Sequence, residues 1–186
     1  AAHRQDRTFL PPAQYNPLRP STDPAHPTEL PTGDYDIAVF DNMFATLTCD
    51  AADPPQLNID TRAGVGKCEV VVFTQDSAAS LGSLPVDHIA LLLEVWAQRT
   101  RVLGDRDPIE YVLPFENRGV EVGVTLHHPH GQLYAYPFVP PVPERMLRTE
   151  RQHFTAHGKV LLQHFIEQEL QRADLILYAG SHAVAW

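Results

Sequence analysis

The stretch His127-His128-Pro129-His130-Gly131-Gln132-Leu133-Tyr134-Ala135-Tyr136-Pro137-Phe138 decides how this chain is read. Gly131–Val139 reads as an extended segment, and in a strand alternate side chains share a face. His128, His130 and Gln132 are therefore expected to point the same way. Pro129 lacks a backbone donor and fixes its own φ, which stiffens the path between the two histidines. Gly131, with no side chain, is expected to let a ligand approach the backbone. An imidazole has a reference pKa of about 6.5, so a neutral ring nitrogen is a competent nucleophile near neutral pH. Gln132 offers an amide donor to charge developing on a phosphoryl oxygen. His-x-His on a strand is equally a metal-ligand pair, or a pair of structural histidines. Spacing alone leaves these three readings open.

Outward from this segment, strands and helices alternate. Tyr35–Phe40 alternates apolar and polar residues after Gly33-Asp34, and Glu69–Thr74 is short and β-branched, so both are expected strands. Residues 50–67, with Pro54-Pro55, Gly64 and Gly66, form a loop. Pro85–Leu103 is the strongest helix: Pro85 suits the first turn, Asp87 the positive end and Gly104 the stop. Its core stripe is expected to be Ile89, Leu92, Leu93, Trp96 and Val102. Ile109–Phe115 and Val120–Leu126 read as extended. A long helical stretch is expected from Pro143 to about Ala173, relaxed near Gly158, with Leu161, Leu162, Phe165, Ile166 and Leu170 buried. Leu175–Tyr178 reads as a last strand. Strands on short loops with helices as excursions give an α+β fold, an antiparallel sheet covered by helices. Residues 1–34 are punctuated by Pro11, Pro12, Pro17, Pro20, Pro24, Pro27 and Pro31. They read as an irregular arm wrapped on a surface, followed by one lobe over 35–186.

Composition narrows the function. The 186 residues, 44% hydrophobic and 20% charged, suit one ordinary globular domain. The net charge of -9 argues against a nucleic-acid binder or a cationic membrane-surface protein. A small anionic substrate stays compatible, because a few local arginines outweigh a mildly acidic whole. No apolar run approaches the ~20 residues of a membrane span; the longest, around Ile89–Val95, is interrupted by Glu94. Cys49 and Cys68 are too few for a disulfide scaffold and read as free thiols of a reducing, cytoplasmic protein. The chain opens on Ala1-Ala2-His3, without Met or a signal peptide, and closes on Ala185-Trp186 in mid-element. A piece of something longer is expected.

Four segments together carry a resemblance. Ala2–Arg7 (AHRQDR), Tyr35–Leu47 (YDIAVFDNMFATL), Phe115–Gly119 (FENRG) and His127–Phe138 resemble, in order, galactose-1-phosphate uridylyltransferase of the histidine-triad superfamily. The resemblance implies a histidine-triad-like lobe and a two-step exchange of UMP between UDP-glucose and galactose 1-phosphate. His130 matches the nucleophile, Gln132 the residue that contacts the phosphoryl oxygens, and His128 the first histidine of the motif. Thr125 falls where the family usually has a phosphate-contacting serine. Arg4 and Arg7 match arginines that hold nucleotide phosphates across a dimer interface, a role that guanidinium forks suit. Asn42 and Phe44 match residues near uracil, and Asn117 another nucleotide contact. A UDP-sugar, a hexose 1-phosphate and a second copy of the chain are the implied partners.

The departures concern metal. Many relatives hold a structural zinc through Cys-x-x-Cys, a distant histidine and the first histidine of His-Pro-His. Here those positions read Asn16 and Arg19, then Ser77, with only His128 kept. A guanidinium does not ligate zinc, and one imidazole cannot hold it, so no metal or other cofactor is expected. A polar clasp of Asn16, Arg19, Asp76 and Ser77 is expected instead. The glutamate of the family's iron-type site falls at Met146, with Glu144 nearby. Two other functions fit the same residues: a histidine-triad nucleotide phosphorylase or hydrolase, and a catalytically silent nucleotide-binding lobe.

Overall fold

The computed structural model describes residues 16–23, 25–30, 35–124 and 126–186. Two compact units divide the chain, one ending at Phe138 and one spanning Val139–Trp186. The first is built on a four-stranded antiparallel sheet in the order β1-β2-β4-β3. Its strands are β1 (Ala38–Asp41), β2 (Lys67–Val72), β3 (Tyr111–Phe115) and β4 (His130–Tyr136), and α1 (Val86–Gly104) lies between β2 and β3 in the chain. The antiparallel α+β expectation holds.

Register assigns the site residues of β4 to a face. Gln132 pairs with Val70 on one side and Phe115 on the other, and His130 pairs with Val72. Paired residues share a face, so His130, Gln132, Tyr134, Val70, Val72 and Phe115 stand together. Gly131, Leu133, Ala135 and Val71 stand on the opposite face. There, Val71, Phe73, Leu133 and Ala135 form a fully buried core with Leu92 and Leu103 of α1. Each such Leu, Val or Phe contributes roughly 1.5–3 kcal/mol by leaving water. The stripe of α1 differs from the expected one. Leu93 is 55% exposed and Val102 37%, whereas Leu103 is buried and Val95 packs on the core. The inward line also carries two polar residues. His88 Nε2 donates to the Phe73 carbonyl, and Arg99 makes a two-pronged pair with Glu69, itself buried in the sheet. Polar positions on the buried line disguise it in a hydrophobicity pattern.

The other face is covered by the described part of the proline-rich arm. Leu18 and Leu30 are buried against Val72, with Phe40, Val70 and Leu126 packed beside them. Glu29 N donates to the Pro17 carbonyl and Pro20 bridges Leu30, which closes the arm on itself. Gly33 and Asp34, expected to open β1, lie outside the described residues. Val120–Leu126 is not the extended segment expected. Val120–Val122 forms a 3-10 turn and Gly123 takes φ +81°, a left-handed conformation open to glycine.

The second unit is a helical hairpin, α2 (Pro141–His157) and α3 (Leu161–Arg172), with a two-stranded ribbon of β5 (Tyr178–Ala179) and β6 (Val184–Ala185). The long helix expected here is broken outright at Gly158, whose φ of +66° caps α2. No residue of α3 is buried: Leu162, Phe165 and Leu170 are exposed and Leu161 and Ile166 only half-buried. The strand expected over Leu175–Tyr178 begins only at Tyr178, and β6 follows it. Cys49 and Cys68 are both free. No helix among the described residues is long and apolar enough to cross a membrane.

Candidate active site

His130 and Gln132 line two clefts that meet over β4. One, of about 270 Å³, is mostly apolar and runs between the arm and the sheet, bounded by Leu18, Phe40, Phe44 and Val70, with Asn42 in its wall. The other, of about 190 Å³, is more polar and is bounded by Asn117, Gly123 and Val124. The fold thus gathers His130, Gln132, Asn42, Phe44 and Asn117 around one junction. Phe44 is 85% exposed, which removes any core role. Arg4, Arg7 and Thr125 lie outside the described residues.

His128 lies just before the first paired residue of β4, where Phe73 N still donates to the Pro129 carbonyl. Its ring turns inward and is 2% exposed. Asn16 Nδ2 donates to His128 Nδ1 at 3.0 Å, and His128 Nε2 donates to the Thr74 carbonyl at 2.6 Å. A carbonyl only accepts, so the ring proton stands on Nε2 and the ring is neutral. Burial pushes the imidazole below its ordinary pKa; the Thr74 carbonyl pulls the other way, and His130 and Arg19 add to the lowering.

The same reasoning orients His130. Its Nδ1 is 2.7 Å from the His128 carbonyl and must donate to it. In the neutral ring Nε2 then carries the lone pair, in a residue that lines both clefts. Gln132 is oriented by Asn42. Phe44 N donates to Asn42 Oδ1 at 2.9 Å, so the Asn42 amide end is left to donate to Gln132 Oε1 at 3.0 Å. That leaves the Gln132 Nε2 hydrogens as its donors. Asn42 is both the turn residue its Asp-Asn context suggests and a site residue. Its bond to Gln132 is not readable from sequence; the Asn-x-Phe turn is the one available signal.

Gly131 serves the core rather than a ligand. A Cβ there would stand 2.7 Å from the Phe115 carbonyl oxygen and 2.9 Å from Phe73 Cζ, inside van der Waals contact. Register points it at the helix-covered face, away from the clefts. A row of aromatic contacts stiffens the cleft side of the sheet, with Phe115 edge-on to Tyr134 at 5.1 Å.

The family's zinc does not fit these residues. Both nitrogens of His128 are engaged, one by an amide that occupies the place of a ligand, and Asn16, Arg19 and Ser77 supply no thiolate or imidazole. Among the described residues no three His, Cys, Asp or Glu side chains come together as a metal site.

Residues 2–140 match the family model described as galactose-1-phosphate uridyl transferase, N-terminal domain. The galactose-1-phosphate uridylyltransferase of Streptomyces lividans is 38% identical over 98% of this chain and 47% of its own length. That of Thermotoga maritima is 38% identical over 84% of this chain and 49% of its own. A solved uridylyltransferase structure superposes with a TM-score of 0.79 at 25% identity, covering 91% of this chain and 52% of that one. The chain spans about half the length of the curated relatives it matches. With its fold, its His-Pro-His-Gly-Gln strand and these matches together, the chain belongs to the galactose-1-phosphate uridylyltransferase family.

Proposed function

We propose that this chain carries the uridylyl-accepting site of a galactose-1-phosphate uridylyltransferase, acting on UDP-glucose and galactose 1-phosphate. The observation that carries this is the 2.7 Å contact between His130 Nδ1 and the His128 carbonyl. With Nδ1–H held by the His128 carbonyl, the Nε2 lone pair is available over the clefts. Nε2 attacks the α-phosphorus of UDP-glucose. A P–N bond forms, the P–O bond to glucose 1-phosphate breaks, and its electron pair leaves with glucose 1-phosphate. No proton has to move, because the ring keeps Nδ1–H. The positive charge that develops on the imidazole strengthens its bond to the His128 carbonyl. Gln132 Nε2 donates to a non-bridging oxygen as charge redistributes. A phosphate oxygen of galactose 1-phosphate then attacks the same phosphorus, the P–N bond breaks with its electron pair returning to Nε2, and UDP-galactose leaves.

The apolar cleft beside Phe44 and Asn42 suits a nucleobase, and the polar cleft beside Asn117 suits phosphate and ribose. Arg4, Arg7 and Thr125 complete the phosphate contacts in this reading, the two arginines from the neighbouring copy of a homodimer. Residues 35–186 form the histidine-triad-like lobe and 1–34 its arm. The protein works in the cytoplasm and needs no zinc or other cofactor. The test is intact mass after mixing with UDP-glucose. A gain of one uridylyl group per chain, released by galactose 1-phosphate, supports the reading; an unmodified chain with bound or hydrolysed nucleotide overturns it.

A further inference from the structure

Two asparagines on this face use one device. Asn42 and Asn16 each accept a backbone N–H two residues on, from Phe44 and Leu18, both at 2.9 Å. Each oxygen is thereby spent on the turn, and each amide nitrogen is turned toward a site residue: Gln132 for Asn42, His128 for Asn16. We propose that Asn16 is a positioning residue for the covalent step, setting the His128 ring and, through the His128 carbonyl, the nitrogen that His130 presents. This rests on the uridylyl-transfer reading above.

The hydrogen bonds form one directed series. Leu18 N–H donates to Asn16 Oδ1, Asn16 Nδ2 to His128 Nδ1, His128 Nε2 to Thr74 O, and His130 Nδ1 to His128 O. A neutral imidazole has one proton. With Asn16 donating to Nδ1, that proton can stand only on Nε2, where the Thr74 carbonyl requires it. Remove the amide and Nδ1, in a ring only 2% exposed, loses its protein donor. The opposite tautomer is no escape, since it sets the Nε2 lone pair against the Thr74 oxygen. The ring must shift, and its main chain with it. Pro129 has a fixed φ and its carbonyl is tied to Phe73 N at 3.0 Å, so a displacement at His128 is passed on to its own carbonyl. That carbonyl is what holds the proton of His130 on Nδ1. Without it, His130 can place its proton on Nε2 and present no lone pair to phosphorus, the same loss that follows when a catalytic histidine is held in the wrong tautomer.

Asn16→Ala removes turn and donor together. Asn16→Ser keeps a side-chain oxygen for the turn but is too short to reach the His128 ring. In both variants the rate of uridylyl-adduct formation at saturating UDP-glucose is expected to fall about tenfold, the low end for a lost orienting partner. The half-saturating concentration is expected to stay at the wild-type value. In ¹⁵N spectra of the histidine rings, wild-type His130 should be a single Nδ1–H tautomer and the variants a mixture. Asn16→Ser reacting at the wild-type rate overturns the proposal, since only the turn would then matter. So does a slower variant with the His130 tautomer unchanged. If Asn16→Ala fails to fold, the Ser variant carries the test. A wild-type chain that forms no adduct refutes the uridylyl-transfer reading, while the ring spectra still decide for or against Asn16.

Discussion

The two faces of β4 differ in what holds them. Leu133 and Ala135, on the face under α1, are fully buried among apolar neighbours, with Gly131 between β3 and the Phe73 ring. His130 and Gln132, one residue out of phase, are half-buried and held by hydrogen bonds to His128 and Asn42. Dispersion and burial are non-directional and fix only where a side chain is. Hydrogen bonds also fix which atom points where, and a nucleophile needs that second property. Neighbouring substitutions in one strand should therefore fail in different ways.

The largest effect is expected on the buried face. Leu133→Ala should cost about 2–5 kcal/mol of stability in a denaturant titration, as large-to-small changes at enclosed core sites do. Gln132→Ala, the adjacent residue, should leave the denaturation midpoint nearly unmoved. It should slow adduct formation about 100–1,000-fold, the range for removing one donor to a developing oxyanion. If both variants mainly lose stability, the two faces are not the separate systems described. Gly131→Ala sharpens the boundary. Its added methyl meets a backbone carbonyl and a core ring, so about 1–3 kcal/mol of stability should be lost while the half-saturating concentration of UDP-glucose is retained. The smallest effect is expected from a strong chelator: no change in melting temperature and no stoichiometric zinc by elemental analysis. One zinc per chain would mean that other residues supply the ligands.

Much of this contrast is legible in the residues. Alternation over 130–136 places His130 and Gln132 together, and β-branched Glu69–Thr74 reads as a strand. Burial is what alternation does not give: His128 is 2% exposed and held by the arm through Asn16, whereas His130 lines the clefts. Gly131 illustrates a second limit: a residue without a side chain signals close approach but not what approaches. In α1, the buried line passes through His88 and Arg99, whose partners Phe73 O and Glu69 are distant in sequence. Tertiary partners of that kind leave no local periodicity, and Leu93 and Val102 score as core in their place. The bonds from Asn16 and Asn42 are likewise tertiary, since each spans 90 or more positions. The turns that aim them are local, and Asn42 reads as such a turn.

In the uridylyl-transfer proposal the Nε2 lone pair of His130 becomes the bond to phosphorus. Peptide-level mass mapping after mixing with UDP-glucose tests it most directly, on wild type, His128→Ala and His130→Ala. The expected result is a uridylyl phosphoramidate on His130 in the wild type, a slower one on the same residue in His128→Ala, and none in His130→Ala. An adduct on any other residue, or one that survives His130→Ala, would contradict it.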